Sequence, residues 1–233
     1  MQNNLDSELF QFADRLDATQ KLMEILPTEQ MSQEDWLLVA LSSEGVPIAE
    51  YIAKKLGLYY DVLFTEAINA PNNPECAIAM VSETEEIVIH NELINAFEIN
   101  LDYIYGEAHR KYEEKILKYA YKYRKGDLIK SLKGKNVLLI DEGCETGMTV
   151  LTAIKTAIRE GAKSVSFATP VIATNVHVSL EAVVDEIFTA YRVADFVDVA
   201  FYYQDTSPLE SDEVKAIIDA SSHYLPFQKT GEV

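Results

Sequence analysis

Three carboxylates, two of them adjacent, stand with two glycines and two threonines in Asp141-Glu142-Gly143-Cys144-Glu145-Thr146-Gly147-Met148-Thr149. Residue types in this order suit a phosphate borne on a polyol. Gly143 and Gly147 let backbone amides approach an anion closely. The stretch Met148 to Arg159 reads as a helix. Its first turn carries unpaired N–H groups and the positive end of the dipole, and Thr146 and Thr149 add hydroxyl donors. One phosphate can be held there without any lysine. Asp141 and Glu142 follow the apolar run Asn136 to Ile140. Carboxylates are poor phosphate partners, but they accept hydrogen bonds from vicinal hydroxyls and can hold the Mg²⁺ that accompanies a polyphosphate. The plainer reading is a helix N-terminus capped by Thr146, with acidic residues favouring the dipole. Caps are common, whereas this order of residues is not.

The elements around this loop must be a strand before it and a helix after it. Short apolar runs alternate with helical stretches along most of the chain. Trp36 to Leu41, Tyr60 to Phe64, Asn136 to Ile140 and Ser164 to Pro170 read as strands, and Pro47 to Leu56 and Asp212 to Ala220 as helices. Leu180 to Val184 and Glu186 to Ala190 continue the strand and helix rhythm. Ala67 to Glu75 reads as a Pro/Asn-rich loop, followed by a hairpin of Ala77 to Val81 and Glu86 to His90 around Ser82 to Glu85. Residues 92–123 read as helical, residues 1–34 as an amphipathic helical lead ending at Pro27, and 191–210 as an irregular aromatic segment. The expected fold is α/β: a central parallel sheet with helices on both faces and a small hood from the terminal segments 1–34 and 191–233. Ligands in such sheets sit at the carboxyl ends of the strands, where Ser42 to Gly45 and Asp141 to Thr149 emerge.

At 233 residues the chain suits a single domain, and 48% apolar residues suffice for a sizeable core. With 38 Asp+Glu against 20 Lys+Arg the net charge is −18, which disfavours nucleic acid as a partner. No apolar run is long enough to span a bilayer, and the first residues do not resemble a secretory signal. Two cysteines, Cys76 and Cys144, make no disulfide framework; the expected location is cytoplasmic. The four histidines lie far apart without metal-ligand spacing. Tyrosines 103, 105, 112, 119, 121 and 123 suggest core positions or a homodimer face.

The loop with its preceding strand and following helix resembles the signature of the type I phosphoribosyltransferases, in which two acidic residues precede a short loop and Thr-Gly-x-Thr. Asp141, Glu142, Thr146, Gly147 and Thr149 carry the match. The resemblance extends over FADRLDATQKLMEILP, EGVPIAEYIAKKLGLYYDVL, INAPNNPECAIAMV, YRKGDLIKSLKGKNVLLIDEG and FVDVAFYYQDTSPLESDEV, which follow one another as in a subgroup of predicted bacterial members. It implies that Gly143 to Thr149 bind a 5′-phosphate and that Asp141 and Glu142 bind ribose hydroxyls. The donor it implies is 5-phosphoribosyl 1-pyrophosphate with Mg²⁺ near Asp141 and Glu142, and the reaction is transfer to a nitrogenous base with release of pyrophosphate. Glu145 resembles an acidic residue of purine-salvage members that assists proton transfer; on residue type alone it is a loop glutamate with structural uses. Two departures bear on mechanism. The pyrophosphate loop of the subgroup is of Pro-Arg-Gly-Gly type, and here it reads Ser42-Ser43-Glu44-Gly45. An Arg-Lys pair after the second strand is replaced by Glu66 and Ala67. Arg124, with Lys122 and Lys125, either supplies the missing charge or forms a solvated basic helix end. The departures leave two functions open, an enzyme and a non-catalytic protein that binds a phosphoribosyl compound or nucleotide.

Overall fold

The computed structural model describes residues 11–228. Five strands, β1 (Trp36–Ala40), β2 (Tyr59–Val62), β6 (Asn136–Ile140), β7 (Ser164–Ala173) and β8 (Ile187–Val193), form one parallel sheet in the order β2-β1-β6-β7-β8. A three-stranded antiparallel sheet holds β3 (Thr65–Ala70), β4 (Asn73–Ser82) and β5 (Ile87–Ile89). The helices are α1 (Arg15–Ile25), α2 (Thr28–Met31), α3 (Gly45–Leu56), α4 (Asn91–Ala96), α5 (Leu101–Lys111), α6 (Leu117–Arg124), α7 (Met148–Arg159), α8 (Thr174–Leu180) and α9 (Ser211–Ala220). No helix among the described residues is long and apolar enough to cross a membrane.

Strand periodicity explains the layering. Successive side chains of β1 and β6 point to opposite faces, and both faces are buried. Leu38, Ala40, Leu138 and Ile140 join the core under α3 and α5, while Leu37, Val39, Val137 and Leu139 join the core under α7 and α8. These strands therefore read as continuous apolar runs. Parallel pairing of β6 with both β1 and β7 brings the loops after these strands side by side at one edge.

Several sequence expectations change. The loop expected over Ala67 to Glu75 is a hairpin, with β3 and β4 paired on either side of a tip at Pro71 and Asn72. The turn residues mark only the tip. Ile68 and Ala70 are buried and drive pairing. The helical stretch over 92–123 breaks at Phe97 to Asn100, where Glu98 takes φ 52°, and passes through a π-helical turn at Tyr112–Ile116. β7 runs on through Pro170 to Ala173, and residues 181–186 form a turn between α8 and β8. The helical lead is confined to α1 and α2; Phe12 lies before α1 and bridges to Tyr203, and residues 1–10 lie outside the described residues.

Candidate functional site

The loop after β6 carries the site. Gly147 caps α7 at φ 74°, a left-handed conformation that favours glycine, and a Cβ there would meet Val176 at 2.8 Å. The turn is anchored from behind: the Cys144 amide donates to the Val171 carbonyl at 2.9 Å, and the Ala173 amide donates to the Cys144 carbonyl at 3.0 Å. Cys144 is thus stitched to β7 and buried, and burial pushes its thiol up to about 12. A thiolate is not favoured there, and Cys144 serves as a small buried residue. Glu145 and Thr146 are exposed, and Thr149 is half-buried. The first intrahelical bond is Leu151 N–H to Gly147 O at 2.8 Å. The preceding amides at the start of α7 have no backbone acceptor among the described residues, as at any helix N-terminus. A cavity of about 180 Å³ adjoins this turn, lined by Asp141, Gly143 to Gly147, Thr149, Val150 and Val199.

The acidic pair splits into two environments. Asp141 Oδ1 accepts from Ser42 Oγ at 2.5 Å and from the Glu142 amide at 2.9 Å, which leaves Oδ2 outside these bonds. Burial raises the Asp141 carboxyl to about 6; the Ser42 and Glu142 donors pull it down, and Glu44 pushes it up again. Glu142 is nearly buried and meets Arg15 Nε at 2.6 Å. Burial raises the Glu142 carboxyl, and Arg15 opposes that shift. Tyr203 donates its hydroxyl to the Glu142 carbonyl at 2.7 Å. Arg15 also donates to the Ser207 carbonyl at 2.9 Å. The terminal segments therefore close over the acidic pair, around a small core of Phe12, Ala18, Val171, Tyr202 and Tyr203. Sequence reasoning missed Arg15 and Tyr203 as site neighbours. Both lie in stretches that carry the family resemblance, so their signal lay in position within those stretches.

The second loop meets the first. Ser42 Oγ bridges the two by donating to Asp141 and accepting from the Gly45 amide at 3.0 Å. A Cβ on Gly45 would stand 2.9 Å from the Ile140 carbonyl oxygen. Backbone packing between the loops thus explains why Gly45 survives where the rest of its loop has changed. Glu44 and Glu66 do not point away. Both line one cavity of about 410 Å³ with Ser42, Ser43, Phe64, Tyr119 and Tyr123. Ala67 pairs with Met80 within the antiparallel sheet.

Arg124 fits neither expectation. It is 2% exposed, meets Glu83 at 2.5 Å and Asp61 at 3.5 Å, and donates to the Val62 carbonyl at 2.7 Å. Its guanidinium lies 4.3 Å from the centre of the Phe64 ring. Glu83 in turn accepts from the Phe64 and Ile129 amides. Arg124 is an internal tie between β2, the β4–β5 connection and the segment after α6. Lys122 pairs with Asp212, and Lys125 lies over Phe227, so none of the three reaches the loops as a free cation.

The family profile described as phosphoribosyl transferase domain matches residues 7–189. A Mycobacterium tuberculosis protein, provisionally named a phosphoribosyl transferase in strains CDC 1551 and H37Rv alike, is 28% identical over 223 residues, covering 95% of this chain and 49% of that protein. The chain thus spans about half the length of the curated relatives it matches. The crystal structure of TT1426 from Thermus thermophilus superposes with a TM-score of 0.71 at 28% identity, covering 90% of this chain and 98% of that one.

Proposed function

Because this chain belongs to the phosphoribosyl transferase family, we propose that it binds a 5-phosphoribosyl compound or nucleotide at the loop after β6. The observation that carries this reading is the anchored turn ending in Gly147, with amides at the start of α7 that have no backbone acceptor among the described residues and with Thr146 and Thr149 beside the cavity. The 5′-phosphate sits on Gly143 to Thr149, held by amides and the positive end of α7. Asp141, with one oxygen uncommitted, accepts from a ribose hydroxyl. Glu142 is engaged by Arg15 and orients that edge of the site.

The reaction is phosphoribosyl transfer. The anomeric C–O bond to pyrophosphate breaks with its electron pair leaving on pyrophosphate. A nitrogen lone pair of the base forms the new C–N bond, and the nitrogen's proton passes to a nearby base. Glu145, exposed at the cavity rim, is the candidate acceptor. No three His, Cys, Asp or Glu side chains converge as a metal site among the described residues. Asp141 Oδ2, outside the bonds to Ser42 and Glu142, would help to hold a Mg²⁺ ion accompanying the donor, whereas Glu142 is held by Arg15; the ion would supply charge neutralisation to phosphate oxygens. Incubation with 5-phosphoribosyl 1-pyrophosphate, Mg²⁺ and a panel of purine, pyrimidine and pyridine bases tests transfer. Base-dependent pyrophosphate release is expected, and its absence with every base contradicts turnover.

A second reading shares the binding site and omits turnover. It is favoured by the acidic lining at Glu44 and Glu66, where the family resemblance expects cations. Under it the protein senses the phosphoribosyl compound.

A further inference from the structure

The cavity beside the phosphate loop has the wrong charge for pyrophosphate. Its carboxylates are Glu44 and Glu66, its aromatic walls are Phe64, Tyr119 and Tyr123, and no lysine or arginine among the described residues lines it. The neighbouring cations are already matched. Lys111 stands 3.5 Å from Glu66, Lys122 pairs with Asp212, and Arg124 lies between Asp61 and Glu83 on the inner side of Phe64. Tyr119 donates to Glu66 at 3.0 Å and so fixes the carboxylate at the wall. Counting Lys111 against Glu66, the uncompensated charge of the cavity and its border among the described residues is that of Glu44 together with Asp141. The cavity joins the phosphate-loop site at the Ser42–Asp141 hydrogen bond. A ribose resting on Asp141 thus has this chamber as a neighbour.

From this arrangement we infer that the chamber selects a cationic nitrogen heterocycle as the anomeric substituent of the bound phosphoribosyl ligand, in preference to pyrophosphate. Carboxylates and tyrosine faces attract a delocalised cation, and a volume of about 410 Å³ accepts a single ring. Pyrophosphate keeps net negative charge even with one Mg²⁺, and it would face Glu44 with no compensating cation. The inference rests on the phosphoribosyl-binding reading and specifies its ligand class.

The test is calorimetric titration of the full chain with ribose 5-phosphate, with 5-phosphoribosyl 1-pyrophosphate with and without Mg²⁺, and with two ribotides that differ in ring charge. These are nicotinamide mononucleotide, whose pyridinium is cationic, and its reduced dihydropyridine form, whose ring is uncharged. The cationic form should bind about tenfold more tightly than the reduced form and than the pyrophosphate donor, the scale of one partly desolvated charge contact. Glu44→Gln and Glu66→Gln, measured separately, should shrink the ratio between the two ribotides. Equal or tighter binding of the reduced form or of the pyrophosphate donor by the wild type overturns the inference while ribose 5-phosphate binding keeps the loop assignment. A cationic preference that both variants retain also overturns it, because the selecting group then lies elsewhere. If even ribose 5-phosphate fails to bind, the proposed function falls and the inference with it.

Discussion

Asp141 is the residue on which binding and protonation meet. Its carboxyl is raised from 3.8 to about 6, chiefly by burial. The folded state therefore holds this proton more tightly than the unfolded chain does. The stability that follows is fully present below the ordinary value and is lost as pH rises through about 6. Asp141→Asn has no such proton to lose. Below about pH 4 it should match the wild type, and from about pH 4 to pH 6 it should become the more stable protein, by up to about 3 kcal/mol above that window. Denaturant unfolding across pH 3 to 8 measures this, and a difference independent of pH would contradict it. The same substitution removes the carboxylate proposed to accept the ribose hydroxyl, so ligand affinity should fall where stability rises. A site residue held against the interests of the fold is expected where binding needs charge in a partly buried place.

At the scale of elements, the site depends on loops after adjacent parallel strands. β1 and β6 deliver Ser42 and Asp141 to one hydrogen bond, and β7 anchors Cys144 from the other side. This part was legible in the sequence because apolar runs, glycines and threonines mark it locally; α7 spans Met148–Arg159 as its periodicity predicts. Less legible was the β3–β4 hairpin, whose pairing depends on burial of Ile68 and Ala70 beneath helices distant in sequence. Arg124 was misread for a related reason. A basic residue at a helix end looks solvated until Asp61 and Glu83, from two other elements, close around it. That triad gives a prediction. Arg124→Met leaves two carboxylates uncompensated in the core and should cost about 3–5 kcal/mol, seen as a fall in the urea midpoint. Adding Asp61→Asn and Glu83→Gln should recover part of that loss. A midpoint unchanged by Arg124→Met would show that the triad does not hold these elements together.

Across the whole molecule, both terminal segments converge on the acidic pair. Arg15 at the start of α1 reaches Glu142 and Ser207, while Tyr203 reaches the Glu142 carbonyl. Nothing in local periodicity announces such a meeting, since it joins residues far apart along the chain. Its consequence is measurable. Arg15→Met strands the Glu142 carboxylate and should destabilise by about 3 kcal/mol, and Glu142→Gln should relieve much of that in the double variant. A double-mutant cycle in thermal unfolding reports the coupling, and additive single effects would contradict the contact.

The central claim is that the loop from Gly143 to Thr149 recognises a ribose through its 5′-phosphate. Its most direct measurement is calorimetric titration of the full chain with ribose 5-phosphate and, separately, with ribose. The account predicts saturable binding of ribose 5-phosphate, little or none of ribose, and loss of that difference in Gly147→Val, where the left-handed φ and Val176 leave no room for the side chain. Ribose 5-phosphate binding no more tightly than ribose would contradict it.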